Sequence, residues 1–252
     1  MAQTDEPNKI PVGVSSCLLG EHVRYDGGHR HDTYIAKTLG RYFKFTSFCP
    51  EVNIGLGIPR EPIKLVNEDR KKRCVGTINT DQDHTEPLIQ CADQQAHWHK
   101  DICGYIFKKG SPSCGIEKVE VFRGDQVTYD GTGIYAARLM EKFPHLPIAD
   151  EARLGNTHQS SNFIQRVFIY HRWQTLLANE LCWETLTTFH KQHEQILISH
   201  NEQLTGQLSL LLKQSGESDL KLFQEVYIDK MTAILKIIPP RENNTDTLAA
   251  KN

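Results

Sequence analysis

Three short runs of β-branched and aromatic residues in this chain each lead into a loop that carries a cysteine, and that pattern restricts the fold more than any other feature. Ile10 to Ser16 (IPVGVSS) reads as a buried strand bounded by a Cys-Leu-Leu-Gly turn, with Cys17 at its exit. Tyr42 to Phe48 (YFKFTSF) alternates aromatic and polar residues as a strand does, and Cys49-Pro50-Glu51 follows it. Gly104 to Lys108 (GYIFK) is a third strand, and Cys114 lies in its exit loop, Gly110 to Gly115 (GSPSCG). Between and after them, Thr33 to Leu39 has helical character and Pro59 to Lys64 (PREPIK) reads as a rigid loop. Arg73 to Asn79 reads as a strand, Thr85 to Asp101 as a polar helix capped by Asp83 or Thr85, Ile134 to Phe143 as a helix, and Leu146 to Ala149 as a last strand. Strands alternating with helices specify an α/β sheet with parallel pairings, in which ligands sit beyond the carboxyl ends of the strands. All three cysteines fall at that kind of position.

A polar linker over Asp150 to Ser161 divides the 252-residue chain. Residues 1–9 form an N-terminal tail, 10–155 the α/β domain, 156–240 a smaller all-α domain and 241–252 a disordered tail. The helices expected in the second part are Phe163 to Asn179, Trp183 to His200, Glu202 to Gln214 and Leu220 to Ile238, closed by Pro239-Pro240. Nine Lys and Arg stand against ten Asp and Glu from Asn156 onward, so net charge makes no case for a nucleic-acid partner there.

No apolar run approaches the roughly 18 residues a membrane span needs, and the start of the chain, MAQTDEPNK, is polar. The expected location is the cytoplasm, with no membrane partner. Thiols stay reduced there, so the seven cysteines are read as packing residues, metal ligands or reactive groups rather than as a disulfide framework. Cys74 suits the interior of a strand, and Cys91, Cys103 and Cys182 fall in expected helices, which makes these four packing residues.

Cys17, Cys49 and Cys114 are harder to explain by packing, because three strand exits each offer a thiol at one sheet edge. They include no Cys-x-x-Cys pair, which argues against a zinc ribbon and against a thiol redox enzyme. Three thiolates assembled by the fold suit an iron-sulfur cluster with one iron left open to substrate. Glu51, two residues after Cys49 across a proline, is placed to act as a general base on water. Ser111 and Ser113 offer hydroxyls beside Cys114, or serve as turn residues. In Arg24 to His31 (RYDGGHRH), Arg24 and Tyr25 could hold a base or a phosphate, with a solvated turn as the competing reading; His29 and His31 match no metal signature. Gly-x-Gly-x-x-Gly, Walker and Gly-x-Ser-x-Gly motifs are absent from the sequence.

The segments SSCLLGEHVRYDGGHR, FCPE with IGLGIPREPIKL behind it, and KKGSPSCG, in that order, resemble the bacterial thiouracil desulfidase family. The resemblance covers Ile10 to Ala149 and implies a 4Fe-4S cluster on Cys17, Cys49 and Cys114. It also implies a catalytic Glu at Glu51 and a catalytic serine at Ser111 or Ser113. The later segments NFIQRVFIYHRWQTLL and LTTFHKQHEQILISHN resemble a helical domain fused behind this catalytic domain, here in a shortened form. Such fusions are similar to desulfidases acting on 4-thiouridine in tRNA. The expected activity is therefore hydrolytic, non-redox removal of sulfur from a thiolated pyrimidine or tRNA at an open cluster iron. The alternative is a metal- or cluster-bearing module that binds RNA or protein and breaks no bond.

Overall fold

A computed structural model describes residues 9–68, 71–179, 181–215 and 219–239. Its contacts divide between Gln174 and Thr175 into two compact units. Pro240, the expected tail over 241–252 and residues 1–8 of the N-terminal tail lie outside the described residues.

The first unit is built on a four-stranded, all-parallel sheet. Strands β1 (Ile10–Ser15), β2 (Phe43–Phe48), β5 (Tyr105–Phe107) and β8 (Ile148–Asp150) lie in the order β2-β1-β5-β8. All three residues of β5 are fully buried, as a central parallel strand requires when both its faces are covered. On one face Phe48 and Tyr105 meet aromatic side chains of α3 (Ala96–His99) and α4 (Ile134–Lys142). Phe43 meets Phe163 of α6 (Thr157–Ala178). Phe48 follows Phe43 by five positions, an odd number, so strand alternation puts them on opposite faces. Gly13 on β1 is required by this packing, because a Cβ there would stand 2.4 Å from the Tyr105 ring.

The register aligns the strand exits. Ser15 pairs with Phe48 across β1 and β2, and the Lys108 amide just beyond β5 donates to the Ser15 hydroxyl at 3.0 Å. The chain therefore leaves three adjacent strands at one edge. This is the arrangement expected from the sequence.

A second, mixed sheet in the same unit goes beyond that expectation. It consists of β3 (Ile63–Glu68), β4 (Lys71–Gly76), β6 (Val119–Arg123) and β7 (Gln126–Gly131), in the order β4-β3-β6-β7. The expected strand Arg73 to Asn79 is β4, shifted toward the N-terminus and antiparallel to β3. The PREPIK loop ends sooner than expected, because Ile63 and Leu65 turn inward as strand residues. The expected helix Thr85 to Asp101 is two helices, α2 (Thr85–Gln94) and α3, and neither Asp83 nor Thr85 is its N-cap. His84 holds that position, while the Asp83 carboxylate accepts from the Thr85 amide and the Thr85 hydroxyl from the Cys74 amide. Cys103 lies in a bend before β5 rather than in a helix, its amide bonded to the Pro11 carbonyl.

In place of the linker expected over Asp150 to Ser161 stand α5 (Glu151–Leu154) and the start of α6. The polar residues there are caps: Asp150 accepts from the Arg153 amide and Asn156 from the Gln159 amide. The second unit contains α7 (Trp183–His200), α8 (Glu202–Gln214) and α9 (Leu220–Lys236), close to the spans expected from apolar spacing. Asn201 and Asp219 cap α8 and α9. Cys182 is the N-cap of α7 rather than a residue within a helix, because its sulfur accepts from the Thr185 amide. No helix among the described residues is long and apolar enough to cross a membrane.

One buried group beneath the first sheet sets a pH dependence. His99 is 1% exposed; Nε2 lies 2.8 Å from the Tyr135 hydroxyl and Nδ1 has no partner. Burial lowers its pKa to about 4 from an ordinary 6.5. The unfolded chain therefore takes up this proton first as pH falls, so the contribution is complete above about pH 6.5 and is lost on descent toward about pH 4. Urea unfolding over that window should show a loss of up to about 1.4 kcal/mol per pH unit from this group. His99→Gln should flatten that part of the profile, and an unchanged profile would discount it.

Candidate active site

Cys17, Cys49 and Cys114 reach one cavity from the three aligned exits. Cys17 sits in the tight turn Ser16–Leu19 after β1, which closes on Gly20 in the left-handed conformation. Cys49 is the N-cap of α1 (Pro50–Asn53), where the proline at the first helical position sets the entry and puts Glu51 in the first turn. Cys114 lies in the loop after β5, whose backbone is tied to the start of α4 by the Ile134 amide on the Pro112 carbonyl. All three thiols are free. The cavity has a volume of about 320 Å³.

Glu51 faces the same space with its two oxygens in different surroundings. Oε2 receives Arg60 Nη2 at 2.7 Å and Nε at 3.0 Å. Oε1 receives the Ser113 hydroxyl at 2.6 Å and lies 3.5 Å from that of Ser111. A carboxylate oxygen has two lone-pair directions, so with the Ser111 hydroxyl turned to Ser113 instead, Oε1 retains one for a water in the cavity.

The structure separates the two serines that the sequence leaves equivalent. Ser111 lines the cavity, and its oxygen accepts from the Ser113 and Cys114 amides, which fixes the turn. Ser113 is fully buried, with its hydroxyl 2.9 Å from that of Ser111. The geometry permits a run of hydroxyls, Ser111 to Ser113 to Glu51, leading from the cavity to the carboxylate.

Arg24 and Tyr25 also line the cavity, and the Arg24 guanidinium stands 5.2 Å from the Tyr25 ring centroid. Five cationic side chains (Arg24, Arg30, Arg60, Lys108 and Lys109) border the space against one carboxylate, Glu51. Lys108 pairs with Glu151. His29 packs edge-on against His22 and His31, and none of these three lines the cavity. Arg60 is the site residue that sequence reading missed. It stood inside a quoted motif, but nothing in the spacing linked it to Glu51.

Burial pushes the Cys17 thiol up to about 11, with Cys49 adding to the effect. Burial likewise raises Cys49, and it holds Cys114 well above the ordinary thiol range, reinforced by Cys49. Such thiols are protonated and weak nucleophiles at neutral pH. A bound metal centre reverses this, because a coordinated thiol loses its proton outright. Among the described residues no three His, Cys, Asp or Glu side chains gather closely enough to hold one metal ion. Three soft donors spread around a shared cavity instead suit a larger, polynuclear group.

A parallel α/β sheet whose exit loops gather two buried thiols and a half-buried one, a braced carboxylate and a basic rim defines a cysteine-centred enzyme site. Residues 12–151 match the family model described as 2-thiouracil desulfurase, and the chain belongs to that family. It is 32% identical over 136 residues to the uncharacterised protein YbbK of Bacillus subtilis (strain 168), covering 51% of this chain and 88% of that protein. Among solved structures it is similar to a [4Fe-4S]-dependent thiouracil desulfidase, TudS, at 30% identity and a TM-score of 0.48, covering 59% of this chain and 93% of that one. Family membership places the chain among enzymes that cleave a carbon–sulfur bond.

Proposed function

We propose that this protein is an iron-sulfur-dependent desulfidase that hydrolyses a thiolated pyrimidine, with 4-thiouridine in tRNA as its preferred substrate and uridine and hydrogen sulfide as products. The observation that carries the reading is the opening of three free thiols and one braced carboxylate on a single cavity, within the segment that matches the family.

Cys17, Cys49 and Cys114 would hold a 4Fe-4S cluster. Held by three thiolates, such a cluster supplies one iron with an open position, a Lewis acid with affinity for soft sulfur. Glu51 Oε1 takes a proton from a water in the cavity, and that water attacks the carbon bearing sulfur. The carbon–sulfur bond then breaks, and sulfur leaves as hydrosulfide while oxygen remains on the ring. Ser111 orients the pyrimidine, and Ser113 holds Glu51 and passes the proton along the hydroxyl run. Water and thiocarbonyl give carbonyl and hydrogen sulfide, so no electron donor is needed.

The basic rim supports a phosphate-bearing substrate. Arg24 and Tyr25 offer charge and a stacking face, and Arg30 and Lys109 add charge at the same mouth. Replacing Arg30 or Lys109 by Ala should raise KM for 4-thiouridine in tRNA by about 10-fold at moderate salt and reduce the salt slope by about 1. KM for free 4-thiouracil should stay unchanged. Equal effects on both substrates would discount a phosphate-binding rim.

The test of the reading is turnover under anaerobic conditions after cluster reconstitution, with 4-thiouridine-containing tRNA and free thiouracils as substrates and sulfide release as the signal. Stoichiometric uridine and sulfide support it. Cluster-loaded protein that releases no sulfide from either substrate would refute it.

A further inference from the structure

The least exposed charged contact of the cavity is not a cysteine contact but the brace behind Glu51. Arg60 has its side chain 5% exposed, and every guanidinium nitrogen is committed. Nε and Nη2 hold Glu51 Oε2, Nη1 donates to the Gly57 carbonyl at 2.9 Å, and Nη2 also donates to the Val23 carbonyl at 2.9 Å. Its backbone amide donates to the Tyr25 carbonyl at 2.9 Å. One residue thus joins the loop carrying Arg24 and Tyr25, the turn at Gly57 and the first turn of α1.

The consequence lies in what this leaves Glu51 able to do. A glutamate in a first helical turn has three rotatable bonds and would sample many orientations of its carboxylate. With Oε2 clamped by a planar, two-pronged donor and Oε1 touched by Ser113, the carboxylate plane is fixed and only the remaining lone pair of Oε1 is available. We infer that Arg60 is a positioning residue for this reaction: it aims Glu51 Oε1 at the water and holds the Arg24–Tyr25 loop at a set distance from it. The inference rests on the desulfidase reading above. Lysine at this position could satisfy one acceptor as a point charge but not the two prongs and the two carbonyls together.

A misplaced base lowers the rate of the chemical step far more than it weakens binding. Misplacement by about 1 Å can cost on the order of 10²-fold in rate. Steady-state kinetics of the cluster-loaded protein would compare the natural chain with Arg60→Lys and Arg60→Ala, with iron content and thermal stability measured on the same samples. The expected result is a fall in kcat on the order of 10²-fold in both variants, with KM changed by less than about 3-fold and iron content retained. Arg60 lines the cavity, so added guanidinium should reach the gap in Arg60→Ala and restore kcat, whereas methylammonium at equal concentration should not. A purely structural role would not show that discrimination.

Natural kcat in Arg60→Lys, a change confined to KM, or equal rescue by both cations would overturn the positioning role and leave the desulfidase reading in place. A natural, cluster-loaded protein without turnover would overturn both.

Discussion

Glu51→Gln is expected to lower kcat by ~10²–10⁴-fold while the protein keeps its natural iron content. The amide preserves the volume and an oxygen for the Arg60 guanidinium, so the carboxylate's brace at 2.7 Å and 3.0 Å is only weakened. What disappears is the group that accepts a proton. The amide nitrogen would also face the Ser113 hydroxyl, now 2.6 Å from Oε1. Sulfide release per loaded chain measures the effect, and natural turnover in Glu51→Gln would remove Glu51 as the base. Ser111→Ala and Ser113→Ala divide the hydroxyl run: Ser111, which lines the cavity, should affect both KM and kcat, and Ser113, which lies behind the cavity wall with its hydroxyl on Glu51, should affect kcat alone.

Gly133→Ala should damage the site without replacing any of the three cavity cysteines. Gly133 precedes α4, and a Cβ there would lie 2.5 Å from the Ser113 carbonyl carbon, 2.6 Å from its oxygen and 2.7 Å from the Cys114 amide nitrogen. These are backbone atoms, so no side chain can rotate away. The loop is also bound at this point by the Gly133 amide on the Gly115 carbonyl and the Ala136 amide on the Ser113 carbonyl. Removing a glycine at φ −60° gains up to about 1 kcal/mol from the unfolded state, but overpacking costs about 1–3 kcal/mol. The net expectation is a lower Tm together with loss of most bound iron, since Cys114 moves with the loop. Gly40→Ala is the control: its nearest neighbours would stand 3.8 Å and 3.9 Å away. Natural Tm and iron content in Gly133→Ala would show that the loop yields without consequence.

The three strand exits were legible because each strand is a short, β-rich run whose exit loop carries a cysteine. Their assembly at one edge followed from parallel pairing alone. The second sheet was less visible. Prolines and charges from Pro59 to Pro62 obscured the start of β3, whereas the alternation VEVFR and QVTYDG around Gly124-Asp125 did carry a hairpin signal that went unread. The brace from Arg60 to Glu51 spans nine residues across an irregular turn, a separation with no helical or strand period to reveal it. Nor does the spacing Ser-Pro-Ser-Cys tell which hydroxyl meets the cavity; that depends on Ser111 spending its oxygen on two amides.

The central claim is that Cys17, Cys49 and Cys114 hold one cluster, and iron with acid-labile sulfide per chain tests it most directly. The protein is prepared and reconstituted without oxygen alongside Cys17→Ser, Cys49→Ser and Cys114→Ser, with Cys74→Ser as a buried cysteine away from the cavity. About four irons and four sulfides in the natural chain and in Cys74→Ser, and loss in each of the other three, is the predicted result. Absence of iron from the natural chain, or metal retained in all three cavity variants, would contradict it.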